Sequence, residues 1–391
     1  DHWFVKGVWS FIGISTYITQ YLIIILPTIS LSILIAIILG RLRSNLGSRP
    51  FIAYRKVDLV VDVLMVLAIA MLIYSIPYIP IYNPKGFIID VDYRYYSRAL
   101  AIAEESPNPL YTIAMWGRCV DRPLFMIILY GLTRFIDLAI IDKIYLILSI
   151  AMYVVLVNLV CKSLGLRYGW LVALFNPILI GFMYAGFHAN IAALNLALLT
   201  LYLSIIGVYK YVPILSLLTV TIHSEAWLLH IPYFINNRRS LMLWLIPGVI
   251  WWLIRVFIIM PNCLLMPQAG YGLLSIADFL SDLNFYLNIF LWGVLSNWLF
   301  YLVAILGIID MYKKNHPYIL PVLISLCTFL IVIFISREYL SRLIMNSLIL
   351  IPICFALNGR NRYVVLLYTC FQVLFTIGLL VNAVPTPIIS E

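Results

Sequence analysis

Residues 143–161 read KIYLILSIAMYVVLVNLVC, a stretch in which Lys143 is the sole charged residue. A helix needs about 20 apolar residues to cross the hydrocarbon core of a bilayer. The hydrophobic residues of this stretch surround the whole helix, so its length and not an amphipathic period identifies it. The stretch therefore predicts a membrane-spanning helix.

Similar apolar runs recur along the chain and give about twelve candidate spans by the length criterion. They lie near residues 13–40, 57–81, 123–140, 143–161, 168–185, 188–209, 212–235, 241–260, 285–308, 318–336, 339–357 and 363–384. The pattern predicts an all-α fold, a polytopic transmembrane helical bundle of about 11–12 spans. We expect residues 1–391 to form a single integral membrane domain.

The composition agrees with this expectation. Of the 391 residues 64% are hydrophobic and 10% are charged, whereas soluble chains carry roughly 25% charged residues. This shortage of charge excludes a soluble enzyme, a nucleic-acid-binding module and a secreted disulfide scaffold as descriptions of the whole chain. The net charge of +9 is typical of basic cytoplasmic loops. We expect contact with membrane lipid and none with nucleic acid.

The basic residues also predict an orientation, because Lys and Arg concentrate in cytoplasmic loops. The loop 41–56 is rich in arginine and is assigned to the inner side. Alternation of spans then leaves two long outer loops, 82–122 and 261–284. Alternation places four groups of basic residues and the polar turn 184–190 on the inner side. It places three further basic residues on the outer side. The inner residues are those of loop 41–56 with Arg238–Arg239, Lys313–Lys314 and Arg360/Arg362, and the outer ones are Lys162, Arg167 and Lys210.

The first outer loop is dense in charge and carries Asp90 and Asp92. Four apolar residues follow them at helical spacing, which predicts an amphipathic helix lying on the membrane surface. These are Tyr96, Ala99, Leu100 and Ala103. Two carboxylates so placed could act as a general base or bind a divalent cation such as Mg²⁺ or Mn²⁺. They could equally cap the helix in a solvated loop.

Ionisable groups inside the predicted spans are costly and tend to face a cavity or a partner. His223 and Glu225 lie within one run, and His188 interrupts another beside Asn190. His223 and Glu225 could form a purely structural pair within the membrane. His188 could be a structural histidine whose hydrogen bonds are made within a turn. Arg337 and Arg342 lie where two late spans meet, where they could snorkel to the interface or bind an anionic headgroup or pyrophosphate.

The order of these features resembles the GT-C superfamily of polytopic, lipid-linked-sugar-dependent glycosyltransferases. The positions that carry the resemblance are, in chain order, Asp90-Val-Asp92, Tyr96, Ala99, Tyr111, Asp121-Arg122-Pro123-Leu124, Asn176-Pro177, Tyr184-Ala-Gly186-Phe-His188-Ala-Asn190, His223-Ser-Glu225, Pro232, Arg337-Glu338-Tyr339 and Arg342. The resemblance covers roughly residues 57–357. It would place the turn at 184–190 near the outer site, against simple alternation.

The resemblance implies transfer of a sugar from a polyprenyl- or dolichyl-phosphate carrier to a lipid-linked glycan, lipid or protein acceptor. Asp92 or Asp90 would be the catalytic base, and Arg337 with Arg342 would bind the donor phosphate. His223, Glu225, Tyr96 and His188 would bind substrate. The implied site lies at the outer face of a prokaryotic plasma membrane, or of the endoplasmic reticulum membrane in a eukaryote.

Two other classes of function stay open at this stage. GT-C-like folds can lose their chemistry, so the chain could be a non-catalytic membrane subunit or scaffold of a larger complex. A secondary transporter is a third possibility, although the sequence shows no inverted repeat of the kind that transporters carry.

Overall fold

The computed structural model describes residues 56–75, 91–119, 122–176, 179, 188–255, 257, 297–333, 347–360 and 362–381. Helices make up the regular structure of these ranges, and no strand occurs among them. The all-α prediction is therefore confirmed. Two described helices are long and apolar enough to cross a membrane, Ile140–Ser163 and His188–Ile205. A bundle of about 11–12 spans stays a prediction.

Fourteen α-helices fall within the described ranges. They are α1 (Lys56–Tyr74), α2 (Val91–Glu104), α3 (Pro109–Cys119), α4 (Pro123–Thr133), α5 (Leu138–Ser163), α6 (Gly169–Leu174), α7 (His188–Ile205), α8 (Val212–Ile222), α9 (Ser224–Leu229), α10 (Arg238–Ile254), α11 (Trp298–Lys313), α12 (Ile319–Ile333), α13 (Leu350–Asn358) and α14 (Arg362–Val381). Short 3₁₀ helices occur at Tyr209–Tyr211, Ile231–Phe234 and Ser347–Ile349.

The amphipathic helix of the first outer loop is present as α2. Its apolar residues Tyr96, Ala99, Leu100 and Ala103 are all buried, as their spacing predicted. They pack in one cluster with side chains of α3, α4 and α7, among them Ile113. The expectation that this face lies on the lipid surface is therefore wrong, because neighbouring helices cover it.

The predicted span 123–140 is not one helix. Helix α4 begins at Pro123, ends at Thr133 and has 11 residues, which gives a length of about 16 Å. That is about half the thickness of the hydrocarbon core. The chain turns at 134–137, and α5 then runs 26 residues from Leu138. Because α4 is short, counting spans by alternation fails at this point.

The predicted span 212–235 is not one helix either. Helix α8 ends at Ile222, and His223 has an extended backbone (φ −161°, ψ 99°). Its imidazole Nδ1 accepts a hydrogen bond from the backbone N–H of Ala226 at 3.3 Å and so caps α9. The Trp227 Nε1–H of α9 donates to Ser216 Oγ of α8 at 3.0 Å. The two segments are therefore antiparallel, and residues 212–237 form a helical hairpin with His223 at its tip.

The hairpin starts and ends at the same end of the bundle. Asn237 Nδ2 donates to Tyr209 Oη at 3.1 Å, and the Arg239 guanidinium lies 4.8 Å from the Tyr209 ring centroid. A short path of further contacts connects this place to other loops. Asn236 Nδ2 donates to the Pro317 carbonyl at 2.7 Å, and the neighbouring His316 ring lies 5.0 Å from the Phe355 ring. Close to Phe355 in sequence, Arg360 Nη2 donates to Asp310 Oδ2 at 3.2 Å, and Cys354 Sγ lies 3.7 Å from Cys161 Sγ.

These contacts place nine of the basic residues of the described ranges at one end, which we call the basic end. It comprises Lys162, Arg167, Lys210, Arg238, Arg239, Lys313, Lys314, Arg360 and Arg362. The later inner loops predicted from the sequence do share an end. Lys162, Arg167 and Lys210 were expected on the opposite side, and that expectation is wrong because α4 and the hairpin do not count as full crossings.

Helix α11 approaches α13 closely at a glycine. A Cβ atom added to Gly307 would lie 1.9 Å from the carbonyl oxygen of Pro352. A carbonyl of the main chain cannot turn aside as a side-chain tip can, so the two helices would have to separate.

We expect Gly307→Ala to lower the free energy of unfolding by about 1–3 kcal/mol, the range for overpacking a closed core. Gly378 in α14 is the matched control, because an added Cβ meets nothing within 4 Å there. Gly378→Ala should be neutral or stabilising by about 0.5–1 kcal/mol, since it removes a helix glycine. Thermal unfolding of both purified variants checks the pair, and equal stability would contradict the close approach.

Candidate functional site

A shallow cleft with a volume of about 30 Å³ opens between the antiparallel helices α4 and α5. Its walls are mostly apolar, and the polar groups come from α2, α5 and α7. The lining residues are Tyr96, Phe125, Ile128, Leu129, Leu132, Leu138, Ile141, Asp142, Tyr145 and His188. A concave apolar site with a few convergent polar groups is the usual form of a ligand-binding site.

The first polar pair of the cleft joins the beginning of α5 to the beginning of α7. Asp142 Oδ1 lies 2.7 Å from His188 Nε2, and only 5% of Asp142 and 2% of His188 are exposed. The imidazole stabilises the carboxylate at this short distance, because a buried carboxylate without a partner is strongly destabilising. Tyr145 supports the pair, since its hydroxyl donates to the backbone carbonyl of His188 at 3.2 Å.

The second polar pair joins α2 to the beginning of α4. Arg122 Nη1 donates to Tyr96 Oη at 2.9 Å within the protein interior. Arg122 precedes Pro123, and a proline at the first helical position is favourable because its missing N–H needs no partner there. The sequence Arg122-Pro123 thus starts α4 and brings the guanidinium to the phenol.

Aromatic rings connect the two pairs into one site. The Tyr96 ring lies 6.0 Å from the His188 ring, edge on, and 5.3 Å from the Phe125 ring. Tyr145 lies 5.7 Å from His188. A guanidinium, a phenol, an imidazole and a carboxylate therefore meet at one end of an apolar cleft, which we call the site end. This set can bind a phosphate or hydroxyl group and can move a proton.

The structure brings together two of the predicted site residues, Tyr96 and His188. Alternation placed the turn 184–190 on the opposite side from Tyr96, and for His188 that expectation is wrong, since the two rings lie 6.0 Å apart. The resemblance to GT-C proteins implied this neighbourhood. The reason is again that α4 is too short to count as a span.

The other predicted site residues lie elsewhere or outside the described residues. Asp92 is in the first turn of α2, one helical turn before Tyr96. His223 caps α9 at the hairpin tip, and Glu225 follows it in α9. The tip borders the site, because Ile222 and Ala226 pack in the same apolar cluster as Tyr96. Asp90, Arg337 and Arg342 lie outside the described residues.

Sequence reasoning missed Asp142, Tyr145 and the role of Arg122. Asp142 looked like a flanking charge because it stands immediately before the apolar run 143–161. Arg122 was noted within Asp121-Arg122-Pro123-Leu124 but received no role. The signal that could have found Asp142 is a single acidic residue near the start of a long apolar helix, which needs a cationic or hydrogen-bonding partner.

No group of three or more His, Cys, Asp or Glu side chains that could hold a metal occurs among the residues that the structure describes. Asp90 is outside those residues, so the expectation of a divalent cation at Asp90 and Asp92 stays a prediction. Comparison with protein-family models, with curated proteins and with solved structures gave no match.

We expect Asp142→Asn to lower the free energy of unfolding by about 1–3 kcal/mol, because a buried histidine loses its ionic partner. Asp310→Asn is the matched control: its partner Arg360 is 3.2 Å away, but the side chains are 32% and 43% exposed. Partly exposed pairs contribute at most about 1 kcal/mol. A double-mutant cycle with His188→Gln isolates the coupling. Coupling no larger at Asp142–His188 than at Asp310–Arg360 would contradict the buried pair.

Proposed function

We propose that the protein is an integral membrane glycosyltransferase that moves a sugar from a polyprenyl- or dolichyl-phosphate carrier to a lipid-linked glycan, lipid or protein acceptor. One observation carries the proposal: Tyr96 of the acidic first loop and His188 of the later polar turn are far apart in sequence and adjacent in space. A substrate site built from the first loop and the later turn requires this arrangement. The motif order that resembles GT-C proteins supports the same conclusion.

Exposed apolar surface supports placement in a membrane. Ile140, Ile144, Leu148 and Met152 are 50%, 50%, 44% and 47% exposed. They recur every four residues and so form one stripe along α5. A soluble protein rarely exposes a contiguous apolar patch of this kind, whereas lipid chains would cover it.

The distance between the two ends supports the same placement. Asp142 and Lys162 are 20 residues apart on α5, which corresponds to about 30 Å along the helix axis. This equals the thickness of the hydrocarbon core of a bilayer. The basic end then lies at the cytoplasmic interface, since Lys and Arg concentrate there. The site end lies at the outer interface.

The groups present fit the chemistry of such a donor. Apolar walls such as Ile128 and Leu132 suit the carrier's hydrocarbon chain, and a guanidinium beside Tyr96 suits its phosphate. Arg122 holds that place among the described residues, and we expect Arg337 and Arg342 to add to it. His188 and Asp142 would orient the sugar or the leaving phosphate by hydrogen bonds.

The transfer step would be a single displacement with inversion at the anomeric carbon. Asp92 or Asp90 accepts the proton of the acceptor hydroxyl, whose oxygen forms the new bond to the anomeric carbon. The bond from that carbon to the phosphate oxygen breaks, and the carrier phosphate leaves with the electron pair. A divalent cation held by Asp90 and Asp92 could assist the departure of the phosphate but is not required for the proton balance.

The second candidate is a non-catalytic membrane subunit, and one observation favours it. The Arg122–Tyr96 and Asp142–His188 pairs already satisfy one another, as a purely structural network would. A transporter fits less well, because its substrate site lies near the bilayer midplane. The cleft lies instead at one end of α5.

We expect Asp92→Asn to abolish sugar transfer while the protein stays folded, because an amide cannot accept the acceptor's proton. Glu105→Gln is the matched control, since Glu105 belongs to the same loop and is exposed; it should keep full activity. The assay follows radiolabelled sugar from extracted lipid carrier into acceptor, with thermal unfolding measured in parallel. Full activity of Asp92→Asn would contradict the assignment of Asp92 as the catalytic base. Inactivity of the unaltered protein on every carrier would favour a non-catalytic membrane subunit.

A further inference from the structure

The basic end is a strongly cationic surface that the proposed transfer reaction does not use. Eight of its nine basic residues are exposed, and Lys162 is half-buried. Asp310, paired with Arg360 at 3.2 Å, is the acidic residue that the described contacts bring to this surface.

Aromatic side chains are interleaved with these cations. Tyr312 is 70% exposed, Tyr363 is 60% exposed and Tyr211 is 45% exposed. Tyrosine with lysine and arginine is the composition of protein surfaces at the level of lipid headgroups. Met242 and Ile246, one and two turns after Arg238 on α10, are 49% and 56% exposed, so these cations lie next to apolar helix surface.

The cations of one part of this surface are held in place and not merely present. The Arg239 guanidinium stacks 4.8 Å from the Tyr209 ring centroid, and Lys210 Nζ lies 4.7 Å from the Tyr211 ring centroid. Asn237 caps α10 by accepting the Ser240 N–H at 3.1 Å and also donates to Tyr209 Oη. This arrangement leaves Arg238, Arg239 and Lys210 on one exposed corner.

The same corner is the N-terminal end of α10, a helix of 17 residues whose first turn carries no acidic residue. The N-terminus of a helix bears a partial positive charge, so two arginines there repel it as well as each other. An external anion would relieve both repulsions. Arg239 is held at this corner by its stacking on Tyr209, so a bound phosphate would meet a guanidinium that is already in place.

We propose that the corner formed by Tyr209, Lys210, Asn237, Arg238 and Arg239 binds the phosphate headgroup of an anionic membrane lipid. A membrane lipid is the source that the observations favour, since the corner lies beside tyrosines and apolar helix surface that would contact its glycerol and acyl chains. The site is separate from the cleft at the other end of α5. It is independent of whether the protein transfers sugar.

The test uses the full chain, purified in neutral detergent, and short-chain phosphatidylglycerol as the probe. Phosphatidylglycerol should raise the thermal unfolding midpoint, whereas the same concentration of short-chain phosphatidylcholine or of inorganic phosphate should not. The shift should vanish when NaCl is raised from about 0.05 M to 0.5 M, because salt screens exposed charges. Equal shifts with both lipids, or a shift with inorganic phosphate alone, would overturn the proposal.

The variant Arg238→Gln/Arg239→Gln should weaken phosphatidylglycerol binding by about fivefold for each cation removed. Arg134→Gln is the matched control, because Arg134 also stacks on a tyrosine, Tyr130 at 4.3 Å, but lies beside Glu104 at the site end. It should bind lipid as the unaltered protein does. An equal loss in both variants, or full binding by the double variant, contradicts the assignment. Binding of polyglutamate in place of lipid by the unaltered protein would identify an acidic protein as the partner and also overturn it.

Discussion

The approach of the Asp142 carboxylate to the His188 imidazole fixes where the two long apolar helices begin relative to each other. Both groups are buried and lie 2.7 Å apart. A carboxylate in an apolar interior requires such a partner, so α5 and α7 cannot slide past one another without exposing an unpaired charge. The first-loop helices then pack onto this junction through Tyr96 and Tyr145. The position of the cleft follows from that one contact.

The distribution of charge along the bundle follows from the same geometry. Helix α5 carries Asp142 near one end and Lys162 at the other. The hairpin 212–237 returns to the basic end, as the hydrogen bond from Asn237 to Tyr209 shows. The loops at the basic end carry nine cations, while the Asp142–His188 and Arg122–Tyr96 pairs lie at the site end. A bundle with this distribution of charge presents its cleft and its basic end at opposite ends of α5.

The helical class and the apolar face of α2 could be predicted from the sequence. Composition and spacing determine these features locally. The hairpin could not be predicted, because an 11-residue helix that turns back at His223 and a full span have the same hydrophobic composition. The short helix α4 is a similar case. Each such element reverses the side assigned to the loops after it in an alternation count, which is why Lys162, Lys210 and His188 were misplaced.

The partners of the site residues also depended on tertiary structure. Asp142 and His188 are separated by 46 positions, and Arg122 and Tyr96 by 26. A hydrophobic pattern identifies faces of helices but does not identify which polar group on another helix will satisfy a buried one. The resemblance to GT-C proteins therefore depends on the order of the motifs and on the contact between Tyr96 and His188.

We expect the cleft and the basic end to lie on opposite sides of a membrane, and we expect the hairpin to return to the side on which it starts. Cysteines introduced one at a time as Lys210→Cys, Arg239→Cys and Glu105→Cys can be labelled with a membrane-impermeant maleimide on sealed vesicles of known orientation, with the unsubstituted protein as background. Positions 210 and 239 should react from the cytoplasmic side and position 105 from the opposite side. Labelling of 210 and 239 from opposite sides, or of all three from one side, would contradict the account.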